Sequence, residues 1–216
     1  MADAANKKTG PARVKRAPSQ DRDAAVIPRE LIAHQVAGNL ALDFCNTAGE
    51  HLATKPDELL LSWESFLRWG AQVGLIGSNS YFELLKDPEP LDRIIELREA
   101  VYRVGLAVVG SRSLSEVDVD LLRERANAGR PEIEFSEVGG QWRPTPGLAS
   151  EQLCALLGAE ALSLFCSPKA RRIGMCDGGN CGWLFLDESR GKRRRWCDMS
   201  DCGGRAKARR FYEKHK

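Results

Sequence analysis

Apolar side chains recur at three- and four-residue spacing through most of the chain, the period of helices that pack one face on a core. In GNLALDFCNTAGEH, residues 38–51, Leu40 and Phe44 share a face with Ala41, Cys45 and Ala48, which predicts a helix. SWESFLRWGAQVGL, residues 62–75, predicts a second: Ser62 and Ser65 offer caps, Phe66, Leu67, Trp69 and Val73 form the apolar stripe, and Gly74 marks the end. The longest helix is expected in residues 89–112, where Leu91, Ile94, Ile95, Arg98, Val101, Tyr102 and Gly105 fall on one side and Pro90 suits the first turn. Residues 114–129 predict another, with Ser115 as N-cap and Gly129 as terminator. Residues 150–166 predict one more, stopped by Pro168.

Period-two patterning is rarer. EIEFSEVGGQWRPTP, residues 132–146, alternates, pauses at Gly139-Gly140 and resumes at Trp142, a hairpin signal. GWLFLDESRGKRRRW, residues 182–196, reads as strand, turn, strand, with Trp183 and Phe185 on one face, Leu184 and Leu186 on the other, and the turn near residues 187–192. The expected fold is therefore mostly α with a small β-hairpin: a helical N-terminal domain over residues 26–168 and a small module over 169–216.

That module carries the clearest chemistry. Cys176/Cys181 and Cys197/Cys202 are two C-x4-C pairs separated by fifteen residues, so four of the chain's seven cysteines fall within 27 positions. Zinc takes four soft or borderline ligands in a tetrahedron, and a short loop lets two thiolates reach one ion. Gly178 and Gly179 give the first loop the freedom this requires. Two disulfides, four unrelated core thiols or an iron–sulfur cluster would use the same residues; regular spacing favours one structural zinc ion per chain, in a zinc-ribbon-like four-cysteine unit. With all four positions filled by thiolates, the metal is expected to be structural and not catalytic. Cys45, Cys154 and Cys166 stand singly in apolar helical patterns and read as core residues.

Charge changes the picture further. The 216 residues carry a net +2, yet residues 1–22 hold +4, residues 23–168 hold −10 and residues 169–216 hold +8. The first 25 residues have few large apolar groups and read as a disordered basic tail. They contain no apolar stretch of the secretory type, and no span of the chain approaches the length of a membrane helix. A cytoplasmic protein without membrane contact is expected, a setting that keeps thiols reduced and available to metal.

A four-thiolate zinc carries a formal charge of about −2, which one or two arginines offset. The remaining cations are too many for that purpose. Arg190, Lys192, Arg193, Arg194 and Arg195 fall on the expected turn and second strand, and Arg205, Lys207, Arg209 and Arg210 spread around a terminal helix expected to start near Ser200. A basic loop beside a basic helix suits phosphate contacts, so double-stranded DNA is the expected partner. In the helical part, Asp43, Asn46, Thr47 and Glu50 lie at helical spacing and could line a pocket for a small polar effector, although such groups more often satisfy neighbouring helix ends. His34, His51 and His215 are scattered, no nucleophile–base set is evident, and an enzyme is not expected.

The segment CDGGNCGWLFLDESRGKRRRWCDMSDCGGRAKARR resembles the CGNR zinc finger, named for a Cys-Gly-Asn-Arg quartet that stands here as Cys202-Gly203-Gly204-Arg205. GNLALDFCNT, together with LLSWESFLRWGAQVGL, is similar to the ABATE domain that accompanies this finger in bacterial stress-responsive transcription regulators. The resemblance implies a helical sensory domain followed by a DNA-binding zinc module with ligands Cys176, Cys181, Cys197 and Cys202. Gly204 departs from the family Asn, so any side-chain role at that position is absent here. A homodimer is compatible with this reading. An alternative is an adaptor whose zinc module docks a protein.

Overall fold

A computed structural model describes residues 35–128, 133–135, 142–144 and 150–215. The expected tail over residues 1–25, the Gly139-Gly140 turn and Gly129 lie outside the described residues.

The chain enters through α1 (Leu40–Cys45), whose first amides are capped by the Asn39 side chain. The helix ends at Asn46, short of the expected run to Ala48, because the next residues pair as strands: β1 (Ala48–Gly49) lies antiparallel to β2 (Asp57–Glu58). Helix α2 (Trp63–Gln72) opens with Ser62 and Ser65 capping each other's backbone amides reciprocally. Behind it come α3 (Ser78–Leu84), α4 (Leu91–Val108) and α5 (Glu116–Asn127, capped by Ser115). Pro90 stands at the N-cap of α4, one residue before the expected first turn. The hairpin of β3 (Ile133–Phe135) and β4 (Trp142–Pro144) follows, then α6 (Ser150–Phe165) and a single 3-10 turn over Pro168–Arg172.

The core collects the stripes read from the sequence. Phe44, Phe66 and Trp69 are fully buried, with ring centroids of Phe44 and Trp69 5.4 Å apart. Burial of each such side chain contributes roughly 1.5–3 kcal/mol. Helix α4 runs through the middle, burying Ile94, Leu97, Ala100, Val101 and Val104. Gly158 on α6 lets that helix approach the α5 backbone, since a Cβ there would stand 3.1 Å from the Ala126 nitrogen.

The C-terminal module shares this core. Its strands, β5 (Ile173–Met175) and β6 (Leu184–Leu186), pair antiparallel, and Ile173, Leu184 and Leu186 pack among the helices. This corrects the expected hairpin: β6 pairs upstream with β5, and residues 187–196 do not form its partner strand. The reason is burial. All three β6 residues are buried, so the strand needs an apolar neighbour, which the cationic run over 190–195 cannot supply. The alternation itself is as expected, with Phe185 and Trp183 turned to the cysteine cluster and Leu184 and Leu186 to the helices. A Cβ on Gly105 of α4 would collide with Leu184, so this glycine sets how closely β6 can dock. One π-helical turn over Met199–Gly203, capped near Ser200 by the Asp198 side chain, leads into helix α7 (Gly204–Lys214).

Candidate metal centre and basic face

Cys176 directly follows β5, Cys181 closes the loop leading to β6, Cys197 precedes the capping Asp198, and Cys202 lies in the turn that starts α7. All four are buried, and their sulfurs lie within 4.8 Å of one another. The Cys181–Cys197 and Cys197–Cys202 sulfurs are 3.7 and 3.6 Å apart. A tetrahedron with Zn–S bonds of about 2.3 Å has edges of about 3.8 Å, so the cage has the dimensions of one zinc ion. The loop is built around the sulfurs: a Cβ on Gly178 would stand 2.8 Å from Cys202 Sγ and 3.1 Å from Cys176 Sγ. The Cys197 amide donates to Cys176 Sγ over 3.2 Å, and Arg205 Nη2 donates to Cys202 Sγ over 3.1 Å.

As bare thiols, Cys176, Cys181 and Cys197 compete: hydrogen bonds from Cys181 and Cys197 hold Cys176 low at the expense of the other two. Hydrogen bonding with Cys176 pushes the Cys181 thiol up to about 12, and Cys197 is pushed up by Cys176 and Cys181. A dication removes that conflict by taking all four as thiolates. The cysteine set therefore holds one structural zinc ion, which ties the first loop, the basic loop and α7 to a single point.

The nine candidate DNA contacts separate into two groups. Arg194 turns inward: Nη2 donates to the carbonyls of Val36 and Cys197, Nε to Trp196 and Nη1 to Leu186, with the guanidinium 4.4 Å from the Phe185 ring centre. Arg205 serves the Cys202 thiolate and also pairs with Asp201. Arg195 pairs with Asp177 at 2.8 Å. Arg190, Lys192 and Arg193 are exposed on the loop, where Lys192 Nζ reaches the Arg171 carbonyl, and Lys207, Arg209 and Arg210 are exposed on α7. Beside them Val36, Trp196 and Met199 join Arg193–Arg195 in a groove of about 700 Å³.

Family comparison accounts for both halves. A family model described as "putative stress-induced transcription regulator", ABATE, matches residues 38–168 of the 216-residue chain. The chain belongs to the ABATE family. In this ABATE protein residues 172–215 also match the CGNR zinc finger, in the expected order. No curated protein matches the chain. Among the described residues no helix is long and apolar enough to cross a membrane.

The polar residues singled out in and just after α1 sit near the junction between the two segments. Asn46 is buried and grips the Leu184 backbone from both sides, donating to its carbonyl at 2.9 Å and accepting from its amide at 3.1 Å. Thr47 donates to the Phe44 carbonyl at 2.7 Å, closing the end of α1. Asp43 accepts from the Ala37 amide, and desolvation pushes its carboxyl up to about 6. Glu50 adopts a left-handed backbone, φ 47°, at the turn after β1. Asn46 thus holds the zinc-bearing hairpin and Asp43 the chain entry.

A second polar cavity, about 420 Å³, lies elsewhere, between α4 and the β1–β2 segment, with His51, Glu58, Arg98, Glu99, Tyr102 and Arg112 among its walls. Sequence reasoning missed it because its residues come from distant segments. One signal was present: Arg98 stands on the apolar stripe of α4, and a cation at a buried position must have partners.

Proposed function

We propose that this ABATE protein is a non-enzymatic, cytoplasmic transcription regulator that holds double-stranded DNA on the outer face of its zinc module and senses a small ligand through its helical body. The observation that carries the reading is the division of labour among the cations. Arg194 and Arg205 meet the needs of the scaffold, while Arg190, Lys192, Arg193, Lys207, Arg209 and Arg210 remain exposed on elements that the zinc site fixes. An α-helix of about 10–12 Å diameter enters a major groove, and the loop cations reach flanking phosphates.

The test is fluorescence anisotropy of the zinc-loaded chain on a random duplex across salt concentrations. Affinity is expected to fall steeply, with a log–log slope approaching about −5 if all six cations engage phosphate. Binding that ignores salt would favour the adaptor reading instead. That second reading draws on Phe211 and Tyr212, which are 59% and 71% exposed on α7 and suit a protein partner.

A further inference from the structure

The cavity between α4 and the β1–β2 segment is lined by two opposite charges, Glu99 and Arg112, that form no ion pair with each other. Arg98 is only 3% exposed and is held by Glu58 through two parallel hydrogen bonds of 2.6 and 2.7 Å. Glu99 adds one oxygen, Oε1, to Arg98 Nε and Nη2. Arg98 thus faces two carboxylates, and Glu99 Oε2 has no contact partner among the described residues. On the other wall Arg103 directs Nε and Nη2 onto Asp118, which closes that pair. Arg112, exposed at the rim, makes no ion pair of contact length among the described residues, though its charge reaches Asp118 and helps hold that carboxyl low. The cavity thus presents a carboxylate, Glu99, which shares Arg98 with Glu58, and a guanidinium, Arg112, with no contact partner among the described residues, lining the same space with no ion pair between them. Ile95, Leu106 and Pro56 supply apolar wall between them. Desolvation lowers the pKa of His51, and its Nε2 faces the Cys45 carbonyl at 2.9 Å, to which it donates.

We propose that this cavity is the receptor site for a zwitterionic α-amino acid with an apolar side chain, its carboxylate on Arg112, its ammonium on Glu99 and its side chain against Ile95 and Leu106. The proposal deepens the sensor role assigned above and rests on it. A ligand with one charge would leave the opposite wall group unmatched, whereas a zwitterion satisfies both.

The site also has a route to the zinc module. The His51 ring stacks on Tyr102 with centroids 3.8 Å apart. Tyr102 in turn donates its hydroxyl to the Gly182 carbonyl at 3.0 Å. The His51 amide donates to the Cys181 carbonyl, and the Leu52 amide to Asn180. Gly182 has a φ of 65°, and a Cβ there would stand 3.0 Å from the Tyr102 hydroxyl. The loop bearing one zinc ligand therefore rests directly on the cavity wall, and a ligand that reorients Tyr102 shifts that loop.

The experiment is an amide NMR titration of the zinc-loaded full chain with L-leucine, using N-acetyl-leucine and leucinamide as controls that each lack one charge. Leucine is expected to move the Tyr102, Arg112 and Gly182 amides and to bind about tenfold tighter than either control. Arg112→Ala weakens leucine about tenfold, the equivalent of one charge-assisted contact, and leaves leucinamide unchanged. In Tyr102→Phe, leucine still binds but the Gly182 amide stops responding; a Gly182 response that persists would overturn the route. Equal binding of all three compounds, or no response to leucine up to about 20 mM, would overturn the site. Duplex affinity measured alongside separates the two readings. Leucine bound without effect on DNA affinity would sink the sensor role, and DNA binding without any leucine response would sink the cavity assignment while the DNA-binding reading stands.

Discussion

Arg194→Ala tests the division between scaffold and interface most sharply, because Arg194 and Arg193 are adjacent and chemically identical but oppositely placed. Truncation removes donors from the carbonyls of Val36, Trp196, Leu186 and Cys197 and the stacking on Phe185, which is itself 1% exposed. A hydrogen bond from a charged donor contributes about 1.5–3 kcal/mol and a cation–π contact about 0.5–1 kcal/mol, but one side chain serves all of these and water reaches some of the carbonyls. A net loss of about 3–5 kcal/mol is expected, or a fall in Tm of roughly 6–20 °C for a protein of this size. Arg194→Lys should recover little, since a point charge cannot serve four carbonyls in the plane of a fork. Arg193 is exposed and makes no side-chain hydrogen bond among the described residues, so Arg193→Ala should leave stability within about 0.5 kcal/mol and reduce the salt slope of DNA binding by about 0.9. Urea denaturation of the zinc-loaded variants, followed by circular dichroism, reads the first quantity, and anisotropy reads the second. The reasoning is refuted if the two alanine variants are equally stable, or if Arg194→Ala folds normally and loses DNA affinity alone.

Two further outcomes follow from the packing. Zinc removal should destabilise the helical body as well as the module, because Ile173, Leu184 and Leu186 belong to the shared core; hydrogen exchange of α4 amides before and after chelation should show faster exchange, and unchanged α4 protection would argue for independent units. Gly204→Ala should stabilise α7 by about 0.5–1 kcal/mol, since its φ of −62° is helical and a Cβ there meets nothing closer than 3.9 Å, whereas Gly105→Ala should cost about 1–3 kcal/mol by displacing Leu184; thermal melts of both variants check the opposite signs.

The helices were legible because each buries one face, and burial imposes its period on the sequence: Ile94, Leu97 and Val101 announce α4 by their spacing alone. The zinc ligands were legible because four cysteines at two equal spacings have one economical use. The pairing of β6 was not, since a strand buried on both faces carries no sign of its neighbour, and the cationic run downstream was nearer to hand than Ile173–Met175. β1 and β2 were missed because they are two residues each and are braced by the Arg98–Glu58 pair, an interaction across forty positions. For Asn46 the more common use, satisfying nearby backbone, was legible, but its partner was not: the Leu184 backbone lies 138 residues away and has no sequence signature.

The clamp of Asn46 on Leu184 also bears on how the chain is made. Synthesis delivers the helices first, and α1 emerges with a buried amide side chain and an apolar face whose complement is encoded about 140 residues later. Until β6 leaves the ribosome, Gly105 faces a gap and the nascent body carries exposed apolar surface, the condition under which partly folded chains associate. Closure across so long a separation in sequence is slow. Metal capture by the four cysteines then fixes the loops on either side of β6 and holds the closed surface in place.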